Sequence, residues 1–288
     1  MVAEPRTCVV TGADSGIGRA VAGLLASRGD RVLTCGLTGD VDVRADLATA
    51  AGRSGLVAQV VALTDGRVDG LVAAAGAGAP QPGTVALNYF GTVAVLEGLR
   101  PALAASDAPA AVVVSSSSTL NRGSRALVRA CRGGDEARAL AVAGRLARTG
   151  RSSQLYRSSK AALNLWTRAT AVTQAWAGEG IVLNAVAPGI VATEAVTRTW
   201  ERDAELLRTA LPQPLGAPGP VEPVADLLAY LVSPANRFTT GQVVYCDGGT
   251  DALVRGGRPQ RLYLRYGARD LVTMVRASRR AARAEARG

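Results

Sequence analysis

Six short runs of β-branched and small apolar residues recur along the chain at intervals that leave room for a helix between neighbours. They are TCVVTG (7–12), RVLTCG (31–36), VDGLVAAAG (68–76), AAVVVSS (110–116), IVLNAVAPG (181–189) and QVVYCDGG (242–249). Near-continuous apolarity, in place of alternation, marks strands buried on both faces. The stretches between them (18–29, about 48–61, 88–105, 159–180 and 222–234) carry helical periodicity, the last with Pro223 just inside its start. Strand, helix, strand in repetition demands right-handed crossovers and a parallel sheet. The expected fold is α/β, a single doubly wound parallel sheet with helices on both faces, over residues 1–254.

Two segments break that rhythm. Residues 119–152 are predicted to be one or two basic helices inserted before the long helix at 159–180. Residues 255–288 form an Arg-rich C-terminal extension whose second half places Leu271, Val272 and Val275 on one helical face, or is disordered. The insert has eight Arg against Asp135 and Glu136, and the extension ten Arg against Asp270 and Glu285. The formal charge of +10 therefore belongs to these two segments, and the rest of the chain is net acidic.

Two absences narrow the chemistry. There is no histidine, so Ser-His-Asp and Cys-His nucleophiles and His-ligated metals are excluded. Proton transfer falls to carboxylate, tyrosine, lysine or cysteine. Of the 33 basic residues all but one are Arg, and the single lysine is Lys160. Cys8, Cys35, Cys131 and Cys246 have no metal or disulfide spacing and are expected as small core residues, with no metal site. No apolar run reaches the roughly 18 residues of a membrane span. The chain enters its first strand almost at once, without a leader-like segment, and a cytoplasmic protein is expected.

The first strand runs into TGADSGIG and then a helix, so Gly12, Gly16 and Gly18 let backbone approach a pyrophosphate at a helix N-terminus. A plain strand-to-helix turn would use the same glycines. NAD-binding units of the Rossmann type commonly end the second strand with an acid that holds the adenine ribose. Here the corresponding residues are Gly36, Leu37 and Thr38, neither acidic nor basic. NAD or NADP is expected, with a lean to NADP.

YRSSK sets Tyr156 and Lys160 one helical turn apart on a shared face. A phenol with a reference pKa of about 10 exchanges protons poorly at neutral pH, and a neighbouring ammonium lowers that value. A surface pair could show the same spacing.

Together these features resemble the short-chain dehydrogenase/reductase family across nearly the whole body of the chain. TGADSGIG, including Ser15 and Ile17, looks like its cofactor turn, and Asp46-Leu47 like its adenine contact. LVAAAG is similar to its Asn-Asn-Ala-Gly segment, with Gly76 at the glycine and Ala73 and Ala74 where asparagines are usual. Asn88 matches the asparagine that supports a water in the proton relay. Ser116 matches the serine that binds the substrate oxygen, with Ser117 as competitor in a run of four serines. Tyr156 and Lys160 match YxxxK, and Pro188, Gly189, Ile190 and Thr193 fall on the nicotinamide loop. In most members that serine lies about a dozen residues before the tyrosine; here the insert stretches the gap to 40, as in a bacterial branch with a helical insert at this place.

The resemblance implies an NAD(P)-dependent oxidoreductase transferring hydride between a nicotinamide and a carbonyl or secondary alcohol. In that reaction Tyr156 is acid/base, Ser116 fixes the oxygen, Lys160 tunes Tyr156 and holds the ribose, and Asn88 completes the relay. Trp200 and the Leu- and Ala-rich stretch after Gly189 suggest a bulky apolar substrate, steroid-like, cyclic or a natural product. The alternative is a non-redox cyclase, isomerase or cofactor-bound sensor on the same scaffold. The expected partners are a small-molecule substrate and further copies of the chain, as homodimer or homotetramer; membrane is excluded and nucleic acid disfavoured. The insert is expected to cover the active-site edge or alter the subunit contact.

Overall fold

The structure, a computed structural model, describes residues 5–257 except Thr199 and the side chains of Arg202 and Asp203. The chain divides into units Met1–Val254 and Arg255–Gly288. The Arg-rich extension, with its expected apolar face, lies outside the described residues except for its first three.

Seven parallel strands form one sheet in the order β3-β2-β1-β4-β5-β6-β7. They are β1 (Thr7–Thr11), β2 (Arg31–Gly36), β3 (Val43–Arg44), β4 (Gly70–Ala73), β5 (Ala110–Val114), β6 (Val182–Pro188) and β7 (Val243–Cys246). Six of these are the apolar runs read from the sequence. The seventh, β3, is two residues long and too short to carry a period. Successive side chains point to opposite faces. Thus Val9, Leu71, Ala111 and Leu183 enter one core layer, while Cys8, Val10, Val72, Val112 and Val186 enter the other.

On the second of these faces pack α1 (Gly16–Ser27) and, after the long excursion through the rest of the chain, α10 (Glu222–Leu231). The other face is covered by α2 (Ala50–Leu63), α3 (Gly83–Val85), a π-helical turn (Ala86–Gly91), α4 (Thr92–Ala104) and the long α7 (Ser153–Thr170). Smaller helices α8 (Glu194–Thr197) and α9 (Trp200–Ala210) follow β6, and α11 (Thr250–Arg255) follows β7.

The insert forms two helices, α5 (Arg125–Arg132) and α6 (Glu136–Arg148), each capped by a side chain: Ser124 accepts from the Leu127 amide and Asp135 from that of Arg138. Both pack on α7, and α6 also reaches the π-turn. Leu127, Cys131, Ala139 and Ala143 are fully buried in the same core layer as β4 and β5. The insert is therefore part of the core on that face, built of basic outer surfaces over apolar inner ones.

The long helix differs from its expected span of 159–180. It starts earlier, at Ser153, and stops at Thr170. The chain then turns so that Trp176 is buried edge-on against Trp166, with ring centroids 6.2 Å apart. The indole is buried there, with its Nε1 lacking a partner among the described residues. Cys8, Cys35 and Cys131 are buried as expected, and burial pushes each thiol up to about 12; Cys246 is half-buried.

Candidate active site

In an open parallel sheet, ligands bind beyond the carboxyl ends of the strands where the strand order reverses. That point here lies between β1 and β4, and a cleft of about 560 Å³ opens there.

The first wall is the turn from β1 into α1. Gly12 has φ +68°, and a Cβ on it would lie 2.8 Å from the backbone of Ala75 beyond β4. A Cβ on Gly18 would overlap the Gly12 carbonyl oxygen. The turn can therefore close only with glycine at these positions. Ser15, the N-cap of α1, makes no side-chain capping bond, and the first turn holds no acidic residue. Its N–H groups thus face the cleft without a side-chain anion of the protein's own. That is the donor chemistry a cofactor pyrophosphate needs. The residues present fit a dinucleotide.

Ser15, Gly16, Ile17, Gly18, Asp46, Leu47, Gly76 and Thr193 line the same cleft, as expected. Asp46 also accepts from the Ala48 amide at 2.9 Å, which shapes the entry to α2. Thr193, at the N-terminal boundary of α8, stands against Gly16, so the start of α8 adjoins the glycine turn. Pro188, Gly189 and Ile190 do not line the cleft. Ile190 gives its N–H to Gln213 and its carbonyl accepts from the Gly219 amide at 2.8 Å and from Gln213 at 3.4 Å. Gln213, distant in sequence, thus braces this loop from behind; no local pattern announced it.

At the other end stand Tyr156 and Lys160 on α7. Tyr156 lines the cleft, with the Ser116 side chain beside it. The four serines after β5 resolve cleanly. Ser115 bonds Asn164 at 2.5 Å, Ser116 meets Tyr156, and the Oγ of Ser117 and of Ser118 are buried with no partner among the described residues. Burial raises the Tyr156 phenol above its ordinary value, and the Ser116 side chain acts the other way. The expected lowering by the neighbouring ammonium is not what dominates. Lys160 instead gives Nζ–H to the Val114 carbonyl at 2.7 Å, and burial brings its own pKa down to about 8.

Asn88 sits in the π-turn, fully buried. Its amide clamps Ala77 through both N–H and C=O, each at 2.9 Å, and donates to Ser159 Oγ at 3.4 Å. A Cβ on Gly76 would lie 3.2 Å from Asn88 Oδ1 and 3.3 Å from Lys160 Nζ, so these three residues adjoin. A π-turn within an α-helix is a feature often kept at functional sites.

One supporting residue had no sequence signal beyond a charge on an apolar helix. Arg53, 8% exposed, donates to the carbonyls of Leu47 (2.8 Å), Ala48 (3.1 Å) and Ala86 (3.2 Å). Its Nη1 and Nη2 also reach the two oxygens of Glu136, each at 2.7 Å. It ties the adenine-side loop, the π-turn and the insert together. Among the described residues no group of His, Cys, Asp or Glu is placed to hold a metal ion, and no helix is long and apolar enough to cross a membrane.

Comparison with known proteins agrees with this architecture. A family described as enoyl-(acyl carrier protein) reductase matches residues 12–251. A 3-alpha-hydroxysteroid dehydrogenase/carbonyl reductase from Comamonas testosteroni is 34% identical over 255 residues, 86% of this chain and 97% of that protein. The crystal structure of a 3-alpha-hydroxysteroid dehydrogenase from Pseudomonas sp. B-0831 complexed with NADH superposes with a TM-score of 0.79. It shares 38% identity and covers 87% of this chain and 99% of its own. RhlG of Pseudomonas aeruginosa, in an active-site complex with NADP, gives a TM-score of 0.66 at 25% identity, covering 85% and 96%. The curated relatives are named dehydrogenases and reductases, so the non-redox alternative gains no support from them.

Proposed function

The chain belongs to the short-chain dehydrogenase/reductase family and is an NAD(P)-dependent oxidoreductase; from that premise we propose that it interconverts a ketone and a secondary alcohol on a bulky, largely apolar substrate. The observation that carries this reading is the placement of Tyr156 and Lys160 in the cleft that the glycine turn opens, with the Ser116 side chain beside the phenol.

When bound, the nicotinamide supplies or accepts the hydride. In the reducing direction the carbonyl oxygen of the substrate accepts hydrogen bonds from Ser116 Oγ and Tyr156 Oη. As the carbon takes the hydride, the proton on Tyr156 passes to the oxygen, yielding the alcohol and a phenolate. Burial makes that phenolate costly, so the tyrosine is a ready donor only if a cation steadies it as the proton leaves. Lys160 is the buried cation on the same face of α7 and carries this role, with the Asn88–Gly76 neighbourhood on its other side as the route by which the proton is replaced. Oxidation runs the same steps in reverse.

The apolar-substrate reading rests on the cleft's Ala195 and Val196 in α8 and on the steroid dehydrogenases among the relatives. A panel of steroid ketones, smaller cyclic ketones and open-chain keto-sugars, followed by NAD(P)H consumption, tests it. The expected order of kcat/KM puts steroid or fused-ring ketones first. A preference for the open-chain polar carbonyls would overturn the substrate class.

A further inference from the structure

The end of β2 lacks the acid by which NAD-binding units commonly hold the adenine ribose, and it lacks an Arg as well: Gly36 is followed by Leu37 and Thr38. The structure supplies a carboxylate there from the neighbouring turn. Asp14, in the turn between β1 and α1, reaches across to the end of β2, where its Oδ2 accepts from the Leu37 amide at 3.2 Å and the Thr38 amide at 3.1 Å. The Thr38 hydroxyl donates to the same oxygen at 3.0 Å. A Cβ on Gly36 would lie 2.8 Å from Asp14 Cγ. The carboxyl group therefore occupies the space that a side chain at the end of β2 would fill, and Gly36 is what admits it. All three donors converge on Oδ2, and none of them goes to Oδ1. Asp14, Gly36 and Leu37 line the dinucleotide cleft.

We propose that Asp14 is the specificity-determining residue at the adenosine end of the cleft, accepting from the ribose diol of NAD and repelling the 2′-phosphate of NADP. This rests on the reading of the cleft as a nicotinamide dinucleotide site, and it reverses the lean to NADP that the residues after β2 suggest by themselves. The charges around Asp14 favour the same outcome. The Arg19 guanidinium is taken by Glu194 at 3.1 Å and by the backbone carbonyl of Asp14 itself. Arg44 donates to the Gly39 carbonyl at 2.6 Å. Asp40 and Asp42 stand on the same loop, and Asp42 is held by the N–H and hydroxyl of Thr34, each at 2.7 Å. Arg198, which also lines the cleft, donates from Nε to the Glu194 carbonyl at 3.3 Å, and a 2′-phosphate brought against the Asp14 carboxylate is disfavoured by like charge.

Equilibrium binding of NADH and of NADPH to the full chain, wild type and Asp14→Asn, tests the assignment. Asparagine keeps an oxygen acceptor for Leu37 and Thr38 and removes the charge. The wild type is expected to bind NADH about tenfold or more tightly than NADPH, and Asp14→Asn to bring the two within about threefold. A wild type that binds NADPH as well as NADH overturns the proposal without any variant, as does an unchanged ratio in a folded Asp14→Asn protein. If the wild type binds neither dinucleotide, the nicotinamide reading itself fails, a result distinct from binding without discrimination.

Discussion

Lys160 lies 3% exposed, with Nζ against the Val114 carbonyl, and burial lowers its pKa from 10.5 to about 8. Between those two values the unfolded chain retains a proton that the folded chain has released. The contribution of this site to stability therefore rises with pH across that window, by about 1.4 kcal/mol per unit, and is flat below it. The buried thiols of Cys8, Cys35 and Cys131 act oppositely above pH 9, so the useful quantity is a difference. Urea unfolding of wild type and Lys160→Met without cofactor, from pH 7 to 10, should show the wild type gaining relative to the variant as pH rises. Parallel curves would mean that Lys160 titrates as an exposed lysine. The position of Lys160 was legible because one lysine among so many Arg fell four residues after a tyrosine. Its partner was not, since nothing in YRSSK indicates a strand carbonyl 46 residues earlier. Gly12 was legible for the same local reason as Tyr156, and Gly12→Ala should abolish dinucleotide binding, because φ +68° and the 2.8 Å approach to Ala75 both exclude a methyl group. Near-wild-type affinity for NADH and NADPH in that variant would contradict this role for the turn.

Elements are joined where the sequence is silent. Arg53 sits on α2, a helix whose apolar residues show little one-sidedness, and its partners come from three other segments. Removing it leaves three carbonyls and the Glu136 carboxylate without their donor. Arg53→Met is expected to cost about 3 kcal/mol, whereas Glu136→Gln, on a side chain one-third exposed, costs about 1 kcal/mol. The double variant should cost less than the sum of the two, and strict additivity in urea titrations would show that the pair does not act as a unit. Six of the strands fell within the apolar runs of the sequence, because burial makes most of them continuously apolar, while the runs overshot β4 and β7 by up to three residues at their ends. The end of α7 was misread because residues 171–176 keep a helical pattern while Trp166 draws Trp176 inward. The π-turn around Asn88 has no composition of its own, and its extra residue per turn shows only in the hydrogen bonds.

At the scale of the whole molecule, the 119–152 insert was visible as an interruption and as a concentration of Arg, but its charge described only its outer face. Its inner face buries Leu127, Cys131, Ala139 and Ala143 against α7 and the core. Deleting 120–150 is therefore expected to destroy cooperative thermal unfolding, not to trim a lid, and Leu127→Ala alone should cost about 2–5 kcal/mol. A deletion variant that still melts cooperatively would return the insert to the status of an appendage. The central claim, hydride transfer with Tyr156 as the proton donor, is tested most directly by Tyr156→Phe in the same chain. With the best carbonyl of the substrate panel and saturating NADH or NADPH, the variant should still bind dinucleotide yet lose about 10²–10⁴-fold in kcat. Full turnover by Tyr156→Phe would contradict the mechanism.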